Sequence, residues 1–158
     1  MRVGIGYDIH TLRKGRRLFL GGIEVPYSKG LVAHSDGDVI LHAIVDAALG
    51  ATALGDIGSW FPDSDPRWKA APSKRFVEKT RSLLNRKGWV IENIDCTLIA
   101  EAPKIGPYRD AIRKSIAALW KTSLDSVSLK AKTHEGLGEI GAGRAMACLA
   151  VVNLKKRK

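Results

Sequence analysis

The sequence predicts one α+β domain, a single sheet with helices packed on one of its faces. Three observations carry this reading. Val127, Leu129 and Ala131 alternate with Ser128, Lys130 and Lys132, the pattern of a half-buried strand. Phe76, Val77, Thr80, Leu83 and Leu84 recur at helical spacing and would line one face of an amphipathic helix. The 158 residues suffice for one core, and they hold no linker, internal repeat or low-complexity stretch.

Taken in order, Arg2-Val3-Gly4-Ile5-Gly6-Tyr7 reads as a first strand. Leu18 to Val25 is apolar on both sides of Gly21-Gly22, a hairpin signal that Pro26 closes. Asp38 is a good N-cap ahead of Val39-Ile40-Leu41, so a helix starts there. It runs through Ile44, Val45, Ala48 and Leu49, apolar over most of its circumference, and should be buried. Leu54-Gly55-Asp56-Ile57-Gly58 marks its end. Residues 56–72 are rich in Asp, Pro, Ser and Trp and lack periodicity; the expectation is a long binding loop, mobile without ligand.

A helix follows from Ser73, stopped by Lys87-Gly88. Ile91 to Ala100 reads as a strand, and Pro107 suits the first turn of another helix, whose stripe is Tyr108, Ala111, Ile112, Ile116 and Leu119. After the strand at Val127, Ala145 to Val152 is apolar on both faces. That implies a central strand or one covered by another subunit.

The formal charge of +10 invites a nucleic-acid reading. Much of it sits in Arg13-Lys14-Gly15-Arg16-Arg17 and in Lys155-Lys156-Arg157-Lys158, without interleaved aromatics or a recognisable binding signature. The expectation is therefore no nucleic-acid partner, a solvated basic surface, and a frayed tail over 155–158. Such a surface would also attract a polyanionic small molecule. No apolar run approaches the roughly 20 residues of a membrane span, so no membrane partner is expected. Arg2 leads at once into a strand, which argues against a signal peptide. Cys96 and Cys148 lie far apart inside apolar runs, fitting free thiols in a cytoplasmic protein.

The stretch His34-Ser35-Asp36-Gly37-Asp38-Val39-Ile40-Leu41-His42 packs two histidines and two aspartates into one loop-to-helix transition. His42 shares a helical face with Asp38 at i, i+4. Alone it reads as a metal ligand or as a satisfied core histidine. Asp8 and His10 lie two apart on the first strand, so both reach toward one point. Two histidines and a carboxylate leave a tetrahedral Zn²⁺ with an open fourth position, the pattern of a catalytic site.

Gly6-Tyr7-Asp8-Ile9-His10, together with Ala33-His34-Ser35-Asp36-Gly37-Asp38-Val39 and His42, closely resembles the 2-C-methyl-D-erythritol 2,4-cyclodiphosphate synthase family. The resemblance continues through Leu54-Gly55-Asp56-Ile57-Gly58, Phe61-Pro62-Asp63, Ala100 with Ala102-Pro103-Lys104, and Lys132-Thr133 with Glu135-Gly136-Leu137-Gly138. It implies a homotrimer whose active sites lie between subunits, and a substrate linked to cytidine diphosphate. It implies zinc on Asp8, His10 and His42, and Mg²⁺ or Mn²⁺ on Glu135. His34 and Thr133 would stabilise the transition state, with Ser35 beside them.

Asp56, Gly58 and Asp63 would hold the methylerythritol end of the substrate, and Asp8, Ile9, His10, Ile57 and Phe61 would also bind substrate. Ala100, Pro103, Lys104, Ile105 and Gly106 would belong to the cytidine pocket, with Lys104 near its phosphates, and Lys132 would also bind substrate. Read without the resemblance, Glu135 is an ordinary loop glutamate, and Ser35 and Thr133 are loop caps. Asp46 reads as a structural carboxylate, and Gly4-Ile5-Gly6 is weak evidence for a phosphate loop. The rivals are a zinc phosphohydrolase on the same ligands and a basic nucleic-acid-binding module.

One departure stands out. Many bacterial members of the resembled family carry an aromatic residue at the position of Glu139 and an arginine at that of Ala142. There they line a three-fold cavity that can hold an isoprenoid diphosphate. If residues 142–144 are extended, Arg144 faces the same way as Ala142 and would pair with Glu139, closing the cavity.

Overall fold

The computed structural model describes residues Met1–Arg157. Along the chain it holds β1 (Arg2–Lys14), β2 (Leu18–Leu20), β3 (Ile23–Val25), β4 (Lys29–Leu31), α1 (Val39–Ala51) and α2 (Ile57–Trp60). There follow α3 (Lys74–Arg86), β5 (Trp89–Ile99), α4 (Arg109–Trp120), β6 (Val127–Lys132), α5 (Gly138–Gly141) and β7 (Ala145–Lys156). Five strands form one sheet in the order β4-β1-β7-β5-β6, and β2 with β3 forms a separate hairpin. Only β5 and β6 run parallel; the other neighbours in the sheet are antiparallel. This is the predicted α+β domain, with α1, α3 and α4 over one face. The other face leaves Val3, Ile5, Tyr7, Ile9 and Leu149 exposed. No helix among the described residues is long and apolar enough to cross a membrane.

Glycine explains how α1 can lie directly on the sheet. A Cβ on Gly4 would stand 2.0 Å from the Ala47 carbonyl oxygen, and one on Gly6 would stand 2.0 Å from that of Ala43. These glycines serve helix-on-strand packing rather than a phosphate. The same pairs give direction: moving forward along β1 means moving backward along α1, so Asp8 arrives beside His42. Asp38, fully buried, fixes the helix start. Its Oδ1 accepts from Leu41 N at 3.0 Å and Gly21 N at 2.9 Å, and its Oδ2 accepts from Gly22 N at 2.6 Å. The cap thus also pins the hairpin turn. Burial pushes the Asp38 carboxyl up, against the pull of these three N–H donors.

Three expectations are corrected. The basic tail, expected frayed over 155–158, is ordered over 155–157: Lys155 and Lys156 pair with Val90 and Trp89 at the end of β7, and Arg157 N donates to Gly88 O at 2.9 Å. Alternation along β7 keeps burying Val152 and Leu154 on the helix side, so strand pairing outlasts the apolar run. Lys158 lies outside the described residues. Residues 56–72 are not one structureless loop. Asp56 caps α2, Asp65 caps a 3₁₀ turn at Pro66–Trp68, and Ala70 N donates to His34 O at 2.7 Å.

Residues 142–144 are not extended. Helix α5 ends with Gly143 in the left-handed region (φ 66°), Gly143 N donating to Ile140 O and Arg144 N to Glu139 O, both at 2.9 Å. This double closure of the helix end folds residue 144 back over residue 139. The expected pairing forms by that route, Arg144 making two 2.6 Å bonds to the Glu139 carboxylate.

Candidate active site

Strand alternation turns Asp8 and His10 to the helix side of β1, where α1 brings His42. Asp8 Oδ2 lies 2.9 Å from His10 Nε2 and 3.0 Å from His42 Nδ1, and the two ring nitrogens are 3.1 Å apart. A zinc ion bonded tetrahedrally to nitrogen and oxygen holds its donor atoms roughly 3.3 Å from one another. Three lone-pair atoms converging at 2.9–3.1 Å therefore fit one metal ion with little movement. Burial alone would raise the Asp8 carboxyl. Hydrogen bonds from both histidine rings, and their charge, outweigh it and hold the group well below the usual carboxylate range. Ile9 points to the opposite, exposed face of the sheet, so only its backbone is available to the site.

The triad opens into a cleft of about 600 Å³. His34, Ser35, Ile57, Gly58, Phe61 and Asp63 all line it. Asp56 sits just outside, exposed, its Oδ1 accepting from Ser59 N at 2.8 Å and from the Ser59 hydroxyl at 2.6 Å. The Ser35 hydroxyl is buried against the His42 ring, 3.1 Å from Nε2. His34 Nε2 and Trp68 Nε1, on residues that line the cleft, are buried without a hydrogen-bond partner. Such orphaned groups are expected where a polar ligand supplies the missing partner.

The remaining predicted residues gather elsewhere. Ala100, Pro103, Lys104, Ile105 and Gly106 line a second cleft of about 310 Å³, joined by Lys132 and Thr133. Glu135 lies beside it, its Oε1 accepting from the Thr133 hydroxyl at 2.7 Å. The two clefts have no lining residue in common. One chain therefore carries the triad and the Thr133–Glu135 loop at two separate clefts.

Sequence reasoning missed several contributors. Phe61 stacks on Phe76 with centroids 4.6 Å apart, and Trp68 meets Phe61 edge-on at 4.9 Å. This aromatic floor continues to His42, 5.6 Å from Phe76. Phe76 had been legible only as a core position on α3. Asp46, by contrast, is the structural carboxylate that the sequence predicts: its Oδ1 accepts from Ile57 N at 3.0 Å and so anchors the wall that carries Ile57 and Gly58. Glu101 Oε1 accepts from His134 N at 2.8 Å and Gly136 N at 3.4 Å. Those N–H groups flank Glu135, whose φ of 51° is left-handed, so Glu101 ties the second cleft's rim to the loop. No spacing rule links residues 101 and 135.

Residues 1–155 match the model of the YgbB family. A Treponema denticola protein named 2-C-methyl-D-erythritol 2,4-cyclodiphosphate synthase is 52% identical over 150 residues, covering 95% of this chain and 93% of its own. A solved structure of a synthase of that name in a CDP-bound form superposes with TM-score 0.91 at 40% identity, covering 98% of this chain and all of the other. The bifunctional IspDF from Campylobacter jejuni superposes with TM-score 0.94 at 38% identity; the match covers 98% of this chain and 42% of that larger one.

Proposed function

The chain belongs to the YgbB family, and from that premise we propose how its residues carry out the synthase reaction. It converts 4-diphosphocytidyl-2-C-methyl-D-erythritol 2-phosphate into 2-C-methyl-D-erythritol 2,4-cyclodiphosphate and CMP, a step in isoprenoid precursor biosynthesis. The 2-phosphate is the nucleophile, the β-phosphorus is attacked, and the CMP phosphate oxygen leaves. No side-chain nucleophile is required. The protein's task is to fold a flexible polyanion so that its two ends meet, and to offset the charge that accumulates there. The observation that carries the reading is the Asp8–His10–His42 triad opening into a cleft walled by Ile57, Gly58, Phe61 and Asp63.

Asp8, His10 and His42 would hold zinc, which when bound supplies Lewis-acid polarisation of a phosphoryl oxygen. Glu135 would hold Mg²⁺ or Mn²⁺, hard ions that prefer carboxylate and phosphate oxygens. His34, with its unpartnered Nε2, and the Thr133 hydroxyl donate to the phosphoryl oxygens as charge builds. Asp56, Gly58 and Asp63 receive the methylerythritol hydroxyls. The segment Ala100–Gly106 receives the cytidine through backbone groups, and Lys104 and Lys132 lie beside its phosphates.

The chain works as a homotrimer. Two clefts with no shared residue would join when one subunit's triad faces the next subunit's Thr133–Glu135 loop. The exposed apolar row Val3, Ile5, Tyr7, Leu149 supports the same assembly, since packing copies together would cover it. A cytoplasmic location fits the two buried free thiols of Cys96 and Cys148.

The test is phosphorus NMR on the protein with the cytidyl substrate, with and without chelator. A cyclic diphosphate and CMP, both lost on chelation, are expected. Release of inorganic phosphate would instead favour a phosphohydrolase.

A further inference from the structure

His42 turns its two ring nitrogens in opposite directions. Nδ1 faces Asp8 and His10, and Nε2 faces Ser73 Oγ at 2.8 Å. Ser73, fully buried, is the residue before α3 and reaches His42 across 31 positions of sequence. Its backbone N–H donates to Asp36 Oδ2 at 2.9 Å, and its hydroxyl donates to Asp36 Oδ1. An ionised carboxylate can only accept. The Ser73 hydroxyl proton is therefore committed to Asp36, and the Ser73 oxygen can only accept from His42. In the neutral ring, the form that can ligate a metal, this places the one proton on Nε2 and leaves the Nδ1 lone pair aimed at the point shared with Asp8 and His10. Ser35 Oγ, 3.1 Å from the same nitrogen, accepts from Gly37 N at 3.3 Å and touches no carboxylate, so it imposes no such direction.

We propose that Asp36 and Ser73 are positioning residues for the metal site, a relay whose hydrogen-bond polarity holds His42 in the tautomer that ligates through Nδ1. The proposal rests on the reading of Asp8, His10 and His42 as metal ligands. It assigns work to two residues that touch neither metal nor substrate. It also explains why Asp36, half-buried, sits where Ser73 N, the Ser73 hydroxyl and Asp38 N all converge on its carboxylate. Outer partners of this kind change metal affinity by roughly 10–100-fold when removed.

The experiment is zinc competition against a chromogenic chelator on the 158-residue chain, run beside urea unfolding. Ser73→Ala should weaken zinc binding roughly 10–100-fold. Asp36→Asn should weaken it comparably although Ser73 remains. Its amide can donate to the Ser73 oxygen, freeing the hydroxyl proton to turn toward Nε2 and favour the wrong tautomer. Ser73→Thr, which keeps the hydroxyl, should restore affinity. Nitrogen-15 NMR of the zinc-loaded parent needs no variant to fold: His42 should be bound through Nδ1 with a slowly exchanging Nε2–H. Binding through Nε2 would overturn the relay, as would parent-like zinc affinity in both Ser73→Ala and Asp36→Asn. A parent that retains no zinc would overturn the metal reading and the relay with it.

Discussion

Asp8 Oδ2 lies 3.0 Å from His42 Nδ1 although 34 residues separate them, because Gly4 and Gly6 let α1 settle onto β1. The ligand set is thus a product of backbone packing as much as of the ligands themselves. Asp8→Ala combined with His42→Ala should abolish stoichiometric zinc, measured by plasma mass spectrometry, and turnover with it. Because His42 is buried and packs on Phe76, the double variant should also lose some stability, which Asp8→Ala alone should largely avoid. Zinc retained by the double variant would refute the ligand assignment.

Gly6→Ala tests the packing directly. The added methyl would press on the Ala43 carbonyl, and neither backbone can yield without separating strand from helix. A loss of about 1–3 kcal/mol in urea unfolding is expected, with weaker zinc retention because His42 moves with Ala43. Unchanged stability would show that α1 can lift without cost.

Glu135 and Glu101 should separate two functions of one loop. Glu135→Gln should weaken the response to added Mg²⁺ or Mn²⁺ and lower turnover, while zinc stays bound. Glu101→Leu leaves the His134 and Gly136 N–H groups without their carboxylate; it should lower turnover with zinc intact, and Glu101→Gln should recover most of the loss. Loss of zinc in any of these would contradict the separation of the two metal sites.

Ile5 is 66% exposed on the outer face of the sheet, between Val3 and Tyr7. Covering a side chain of this size is worth about 2 kcal/mol, whereas burying an unpaired carboxylate is strongly unfavourable. Ile5→Glu should therefore yield a folded monomer by sedimentation, with its zinc site present and its turnover lost. An active monomer would sink the shared-site reading.

Arg144 holds Glu139 through two hydrogen bonds and keeps its carboxyl below the usual range. Three such pairs around a three-fold axis would leave no free guanidinium for a diphosphate. Calorimetry with geranyl or farnesyl diphosphate should show no micromolar binding, and Ala142→Arg with Glu139→Phe should create it without changing turnover. Micromolar binding by the unaltered protein would overturn this.

What the sequence determined by itself is local. Period-two alternation marked the strand at Val127, a run apolar on both faces marked the one at Ala145, helical spacing marked α3 and α4, and Asp38 announced α1 through a cap that acts within four residues. Two of the three metal ligands were legible for the same reason: alternation alone puts Asp8 and His10 on one face, whereas His42 joins them through the packing of α1 on β1. The tertiary structure decided everything that depends on which elements touch. Ser73 and Asp36 meet His42, Glu101 meets the Glu135 loop, and Phe61, Trp68 and Phe76 become one floor, all through contacts between segments with no fixed spacing. The tail over 155–156 is strand rather than frayed end because β5 offers it partners, and a hydrogen bond to a distant strand leaves no mark on the residues that make it.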